Sequence, residues 1–119
     1  MDCDKVVIDD QLGAYTATQK LLQQGRKRVA LITTDDYLSV AKSRTEGYTK
    51  ALLDSGIPVR DELILKLPTM EMDEEAIRDF FNNTEMDAIL CVNEIFAVFS
   101  IRIAMEKGFK VPEDISIIG

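Results

Sequence analysis

The segment formed by residues 87–119 constrains the fold of this chain more than any other. It opens with a continuous apolar run (88–92), passes through a polar turn into a helical pattern that ends near Gly108, and closes with a second apolar run (115–118). Continuous apolar strands are typical of parallel sheets, because helices cover both faces of such sheets. The segment therefore predicts a right-handed strand–helix–strand unit.

The same alternation continues upstream of this segment. Apolar runs at 5–8, 29–33 and 62–67 alternate with helical patterns at about 14–22, 40–55 and 73–81. The 62–67 run is the weakest of the three and is expected nearer a sheet edge. Gly25 and Gly56 are predicted to end two of the helices, and Asp73 to cap the third. The order predicts an α/β fold, a three-layer, doubly wound parallel sheet forming one domain over 1–119.

Composition limits what this chain can bind. It has 14 Lys and Arg residues against 21 Asp and Glu, a formal net charge of −7. Binding to a phosphate backbone requires clustered cations, so these residues are not expected to bind DNA by themselves. The basic cluster at 26–28 is interpreted as a solvated loop that suits the C-terminus of the preceding helix. No apolar run approaches the roughly 20 residues of a membrane span.

The residues of metal sites and catalytic motifs are scarce. Cys3 and Cys91 form no CxxC pair, and the chain has no histidine to complete a metal site. Cys91 falls in a buried strand and is interpreted as a small hydrophobe of a reduced, cytoplasmic protein. The acidic pairs at 9–10 and 35–36 favour capping and turn formation over a catalytic dyad. We expect neither enzymatic activity nor a cofactor.

Two polar side chains are candidates for ligand binding. Asn93 ends a strand and opens a helix, and Arg44 lies near the start of the helix that follows the 33–39 loop. Ligands of open parallel sheets bind outside the carboxyl ends of the strands, where both residues are expected. An arginine fork and an amide suit ligand hydroxyls or a carboxylate. A plain helix cap and a surface arginine are the alternative interpretations.

The helical pattern at 95–105 is apolar almost all round. A helix packed only on a sheet needs one apolar stripe, so this helix is predicted to bury a second face. A partner subunit is the natural cover, and a neighbouring helix is the alternative. Phe96, Val98 and Phe99 are the candidate dimer-interface residues.

Three runs carry a family resemblance and occur in a fixed order: Ser43-Arg-Thr-Glu-Gly-Tyr48, Asp87-Ala-Ile-Leu-Cys-Val-Asn-Glu94 and Gly108-Phe-Lys-Val-Pro-Glu-Asp-Ile-Ser-Ile-Ile-Gly119. With the strand–helix–strand opening at 9–32, they resemble the effector domain of LacI/GalR-type transcriptional regulators. The resemblance implies a periplasmic-binding-protein-like fold, of which this chain would be mainly the second subdomain. The first subdomain and a helix-turn-helix headpiece would precede it.

The resemblance also implies roles for particular residues and partners. The ligand-contacting arginine and asparagine of the family fall on Arg44 and Asn93, and its pocket loop falls on 37–40, which adds Tyr37 and Val40. The ligand would be a sugar or a related metabolite. Operator DNA would be bound only through the headpiece, and the protein would be a homodimer.

Two other classes share parts of this pattern. A solute-binding protein of a sugar transporter would have the same fold and the same type of pocket, so this alternative stays open. A phosphoacceptor signalling domain is suggested by the acidic pair at 9–10, but it requires an aspartate after the third strand. Lys66 and Pro68 occupy that region, which argues against a phosphoacceptor site.

Overall fold

The computed structural model describes residues 10–34, 39–68 and 73–119. The predicted 5–8 strand, Cys3, Asp9 and the acidic pair at 35–36 lie outside these residues. The helices are α1 (Asp10–Gln23), α2 (Ser39–Asp54), α3 (Glu74–Asn83) and α4 (Glu94–Glu106). The strands are β1 (Val29–Thr34), β2 (Ile64–Leu67), β3 (Ala88–Cys91) and β4 (Ser116–Ile118).

The four strands form one parallel sheet in the order β2-β1-β3-β4. Helices α1 and α2 pack closely together beside the sheet, while α3 contacts α4. The predicted doubly wound fold is confirmed. β2 lies at an edge, as predicted, but it starts at Ile64, because a short 3₁₀ turn (Asp61–Leu63) takes up the first part of the predicted strand.

The core lies between the central strands and the helices. Every residue of β1 and β3 is buried, as their continuous apolar runs predict. β4 differs from the prediction of a core strand, because its three residues are only half-buried. It has a strand neighbour on one side only, and α4 is the only described helix that contacts it extensively. Within the described residues, no helix is both long and apolar enough to cross a membrane.

Three helices end in the way their glycines predict. Gly25, Gly56 and Gly108 adopt φ values of 94°, 77° and 93°, a left-handed conformation that favours glycine. After α1, the Gly25 amide donates to the Leu22 carbonyl and the next amide donates to the Leu21 carbonyl. This is the Schellman pattern, and it satisfies the last carbonyls of the helix.

The phase of α4 corrects one sequence prediction. Phe96 is 0% exposed and belongs to the core, so it does not lie on an outer face. When a helix is apolar all round, its sequence does not indicate which side faces the core. In the structure, the buried side of α4 consists of Phe96, Ala97, Ser100, Ile103 and Ala104. Val98 is 62% exposed, as predicted for the outer face. Phe99 is half-buried, with the Arg102 guanidinium 5.8 Å from its ring centroid.

The basic cluster at 26–28 is not simply a solvated loop. The Arg26 guanidinium donates to the carbonyls of Asp87 (3.1 Å), Pro112 (2.6 Å) and Glu113 (3.5 Å). The Asp87 carboxylate accepts from the amides of Lys27 (2.9 Å) and residue 28 (3.1 Å). These bonds join the loop before β1 to the starts of β3 and β4.

Replacing Asp87 with alanine is expected to lower the free energy of unfolding by about 1–3 kcal/mol, because two backbone amides lose their charged acceptor. Urea unfolding measures the change. Asp79→Ala removes an exposed aspartate on α3 and is the matched control. Equal losses for the two variants would mean that the Asp87 bonds contribute no net stability.

Candidate ligand-binding site

The strand order creates a crevice at the carboxyl edge of the sheet. After β1 the chain moves to β2 on one side, and it then returns to β3 on the other side of β1. The connections that leave β1 and β3 therefore diverge, and such a switch point is where open α/β sheets bind ligands. α2 begins in the connection after β1, and α4 begins just after β3.

Asn93 lies at this switch point and caps α4. Its side-chain Oδ1 accepts a hydrogen bond of 2.8 Å from the Phe96 amide, and its backbone is extended. The predicted cap is confirmed. The cap uses the amide oxygen, whereas the Nδ2 group is a donor that the cap does not employ.

Arg44 reaches the same point from α2. Its half-buried side chain donates through Nη1 to the carbonyl of Val92, the residue directly before Asn93. The structure thus brings the two residues together, as predicted from their strand-end positions. Sequence reasoning did not identify the Val92 carbonyl as the group that holds the guanidinium, because a backbone acceptor leaves no signal in residue type.

A cleft of about 240 Å³ opens beside Arg44. Among the described residues of its wall, Arg44 is the only charged one, and the others are small or apolar: Gly13, Ala14, Ala17, Leu90, Cys91, Ile118 and Gly119. Ligand pockets typically measure roughly 300–1,000 Å³, so this cleft suits one part of a ligand. An apolar wall with one forked donor fits a molecule that has both C–H surface and hydrogen-bond acceptors.

Gly47 and Tyr48 together position α2, the helix that carries Arg44. A Cβ on Gly47 would lie 2.2 Å from the Gln11 carbonyl oxygen of α1, so only glycine allows this close helix contact. Tyr48 is fully buried and donates a 2.6 Å hydrogen bond to the Val29 carbonyl of β1. Burial raises the pKa of Tyr48, which keeps its hydroxyl protonated as a donor. These contacts fix α2 against α1 and β1, and hence the direction from which Arg44 approaches.

Two further predicted site residues stay predictions. Tyr37 lies outside the described residues, and for Val40 the structure describes only the backbone, within the first turn of α2.

The described residues offer little catalytic chemistry. Among them, no group of three or more His, Cys, Asp or Glu residues could hold a metal ion. Cys91 is buried, and burial raises the pKa of its thiol to about 12, so the thiol stays protonated at neutral pH. Its Sγ lies 3.9 Å from the Ser100 hydroxyl, which fits the predicted role of a core side chain.

A family model for periplasmic binding proteins and the sugar-binding domain of the LacI family matches residues 1–119. The chain belongs to this family. The resemblance in the sequence is therefore confirmed over residues 1–119.

Curated relatives of this LacI-type domain are transcriptional regulators. The present chain is 34% identical over 117 residues to the HTH-type regulator DegA of Bacillus subtilis, and the match covers 98% of this chain and 35% of DegA. The chain is 32% identical over 116 residues to GalR of Escherichia coli, and the match covers 96% of this chain and 34% of GalR. Identity to the repressor PurR of Glaesserella parasuis is 34% over 116 residues, and the match covers 95% of this chain and 34% of PurR. The chain thus spans about a third of the length of these relatives.

Solved structures agree with this assignment of the LacI-type domain. A complex of the transcriptional regulator CelR with cellobiose superimposes with a TM-score of 0.86 at 27% identity, covering 94% of this chain and 35% of that one. The transcription regulator CcpA of Lactococcus lactis superimposes with a TM-score of 0.82 at 29% identity, and the match covers 94% of this chain and 42% of the CcpA chain.

Proposed function

We propose that this domain is the effector-sensing part of a DNA-binding transcriptional regulator, and that it binds a small polar metabolite such as a sugar. The observation that carries the proposal is the meeting of Arg44 with the Val92 carbonyl beside Asn93, at the switch point of the sheet. A guanidinium offers several N–H donors, and an amide can donate and accept. That combination suits neighbouring sugar hydroxyls, which both donate and accept hydrogen bonds.

The relatives favour a regulator over a transporter's solute-binding protein. DegA, GalR and PurR are HTH-type transcriptional regulators, and CelR was solved with cellobiose bound. Because this chain spans about a third of their length, DNA binding and part of the ligand cleft belong to other segments of the proposed regulator. Tyr37 and Val40 complete the ligand contacts in this proposal, and two copies form the active protein.

A titration of the intact regulator tests the ligand proposal. Calorimetry with cellobiose, galactose and ribose, together with fluorescence anisotropy on operator DNA, follows binding and response in parallel. At least one sugar is expected to bind and to change operator affinity. If every sugar leaves both signals unchanged, the sugar-responsive function is rejected.

The 119-residue chain alone is expected not to bind operator DNA in a gel-shift experiment at physiological salt. Its net charge is −7, and phosphate contacts require clustered cations. The intact regulator is the positive control on the same DNA. A specific shift by the isolated chain would contradict the assignment of DNA binding to another segment.

A further inference from the structure

Two buried hydroxyl groups lack a hydrogen-bond partner among the residues that the structure describes. They belong to Thr18 in α1 and to Thr34, the last residue of β1, and both side chains are 0% exposed. A buried polar group without a partner has lost its contact with water and has gained no bond in exchange, so it destabilises the folded protein. Each such group therefore needs a physical explanation.

Thr18 can find a partner within its own helix. A threonine in a helix can turn its hydroxyl to the carbonyl three or four residues earlier, and for Thr18 these carbonyls belong to Tyr15 and Ala14. A side-chain rotation is enough to supply that bond. Thr34 ends a strand, where this local bond does not form, so its hydroxyl requires a partner from another segment or from a ligand.

The side chain of Thr34 points toward α4. The preceding side chain, that of Thr33, points the other way, since its hydroxyl lies 3.1 Å from the hydroxyl of Thr45 on α2. Successive side chains of a strand lie on opposite faces of the sheet. Cys91 shows which helix covers the second face, because it pairs with Ile32 of β1 and its Sγ lies 3.9 Å from a hydroxyl of α4.

This orientation places the Thr34 hydroxyl beside the Asn93 amide. Ile32 and Cys91 are paired in the parallel register, so Thr34 and Asn93, each two residues further along, lie level with each other. Asn93 also faces α4, since its Oδ1 caps that helix. The Nδ2 group of the same amide has two N–H donors, so it can serve both Thr34 and a ligand.

We propose that Thr34 is a positioning residue for the effector and acts through Asn93. When the ligand binds, the Thr34 hydroxyl accepts a hydrogen bond from one N–H of Nδ2, and this bond directs the other N–H at a ligand hydroxyl. A bond that the ligand completes relieves the buried hydroxyl of Thr34 and so strengthens binding. The inference rests on the proposed function and adds one residue to its site.

Thr34→Val in the intact regulator tests the proposal, because valine keeps the shape of threonine and lacks the hydroxyl. Stability in urea should not decline, whereas the dissociation constant of the sugar that binds the parent (cellobiose, galactose or ribose) should rise by on the order of three- to tenfold. Thr34→Ser keeps a hydroxyl and should retain most of the affinity. Thr18→Val removes the second unpaired hydroxyl of the described residues and should leave affinity unchanged.

A double-mutant cycle tests whether Thr34 acts through Asn93. Asn93→Ser keeps a cap for α4 but removes the amide, so Thr34→Val should cause no further loss of affinity in that background. Additive losses would overturn the positioning role in favour of direct ligand contact. If the parent and Thr34→Val bind the sugar equally, the inference fails while the proposed function stands. A parent that binds none of the three sugars rejects the proposed function and this inference together.

Discussion

Replacing Arg44 with alanine is expected to weaken ligand binding by on the order of tenfold to a hundredfold. Loss of a charged hydrogen bond in a desolvated cleft costs about 1.5–3 kcal/mol, which corresponds to that range. Operator affinity without ligand should stay intact, because Arg44 lies at the proposed effector cleft and not in the proposed DNA-binding segment. Calorimetry and operator anisotropy on the intact regulator measure the two quantities, using the sugar that binds the parent.

Two further variants separate recognition from charge and from folding. Arg44→Lys keeps the positive charge but loses the fork, so an intermediate affinity is expected. Arg60→Ala removes an exposed arginine just before β2, at the opposite edge of the sheet, and should leave affinity unchanged. Thermal unfolding checks that Arg44→Ala still folds without its bond to the Val92 carbonyl. If parent and Arg44→Ala bind equally, Arg44 only holds the corner between β3 and α4.

Gly47→Ala is expected to destabilise the protein by about 1–3 kcal/mol or more, although alanine normally favours a helix. The new Cβ would lie 2.2 Å from the Gln11 carbonyl oxygen and 2.9 Å from the Tyr15 amide nitrogen. Both atoms belong to the backbone of α1, so no side-chain rotation can relieve the overlap. α1 and α2 must move apart, which shifts Arg44. Urea unfolding and ligand affinity should therefore both decline.

Gly13→Ala is the matched control for the effect of this substitution on stability. Gly13 also lies within a helix, but a Cβ there would have no atom within 4 Å. The gain in helix propensity should therefore raise stability by about 0.5–1 kcal/mol. If the two substitutions changed stability equally, the close contact between α1 and α2 would not determine the cost at Gly47.

Local sequence patterns were sufficient where local physics decides the structure. The buried runs of β1 and β3, the cap at Asp73 and the cap at Asn93 are all confirmed. Each depends on a short run of residue types. The proximity of Arg44 to the junction of β3 and α4 was also predictable, because the carboxyl ends of parallel strands lie at one edge of the sheet.

Contacts between distant segments could not be predicted in the same way. Phe96 and Val98 are equally apolar, and only the packing of α4 on the sheet decides which one is buried. Arg26 binds carbonyls more than 60 positions away, and nothing in its neighbouring residues indicates them. The close approach at Gly47 likewise depends on how α2 crosses α1.

The left-handed glycines and the Arg26–Asp87 bonds all lie before strands, at the amino edge of the sheet. The amino edge therefore contains the turns that join helix to strand and the bonds that align β1, β3 and β4. Arg44 and Asn93 lie at the opposite, carboxyl edge. Loops at the carboxyl edge can therefore change in sequence without disturbing these folding determinants. One scaffold can in this way acquire new effector specificities through substitutions at a single edge.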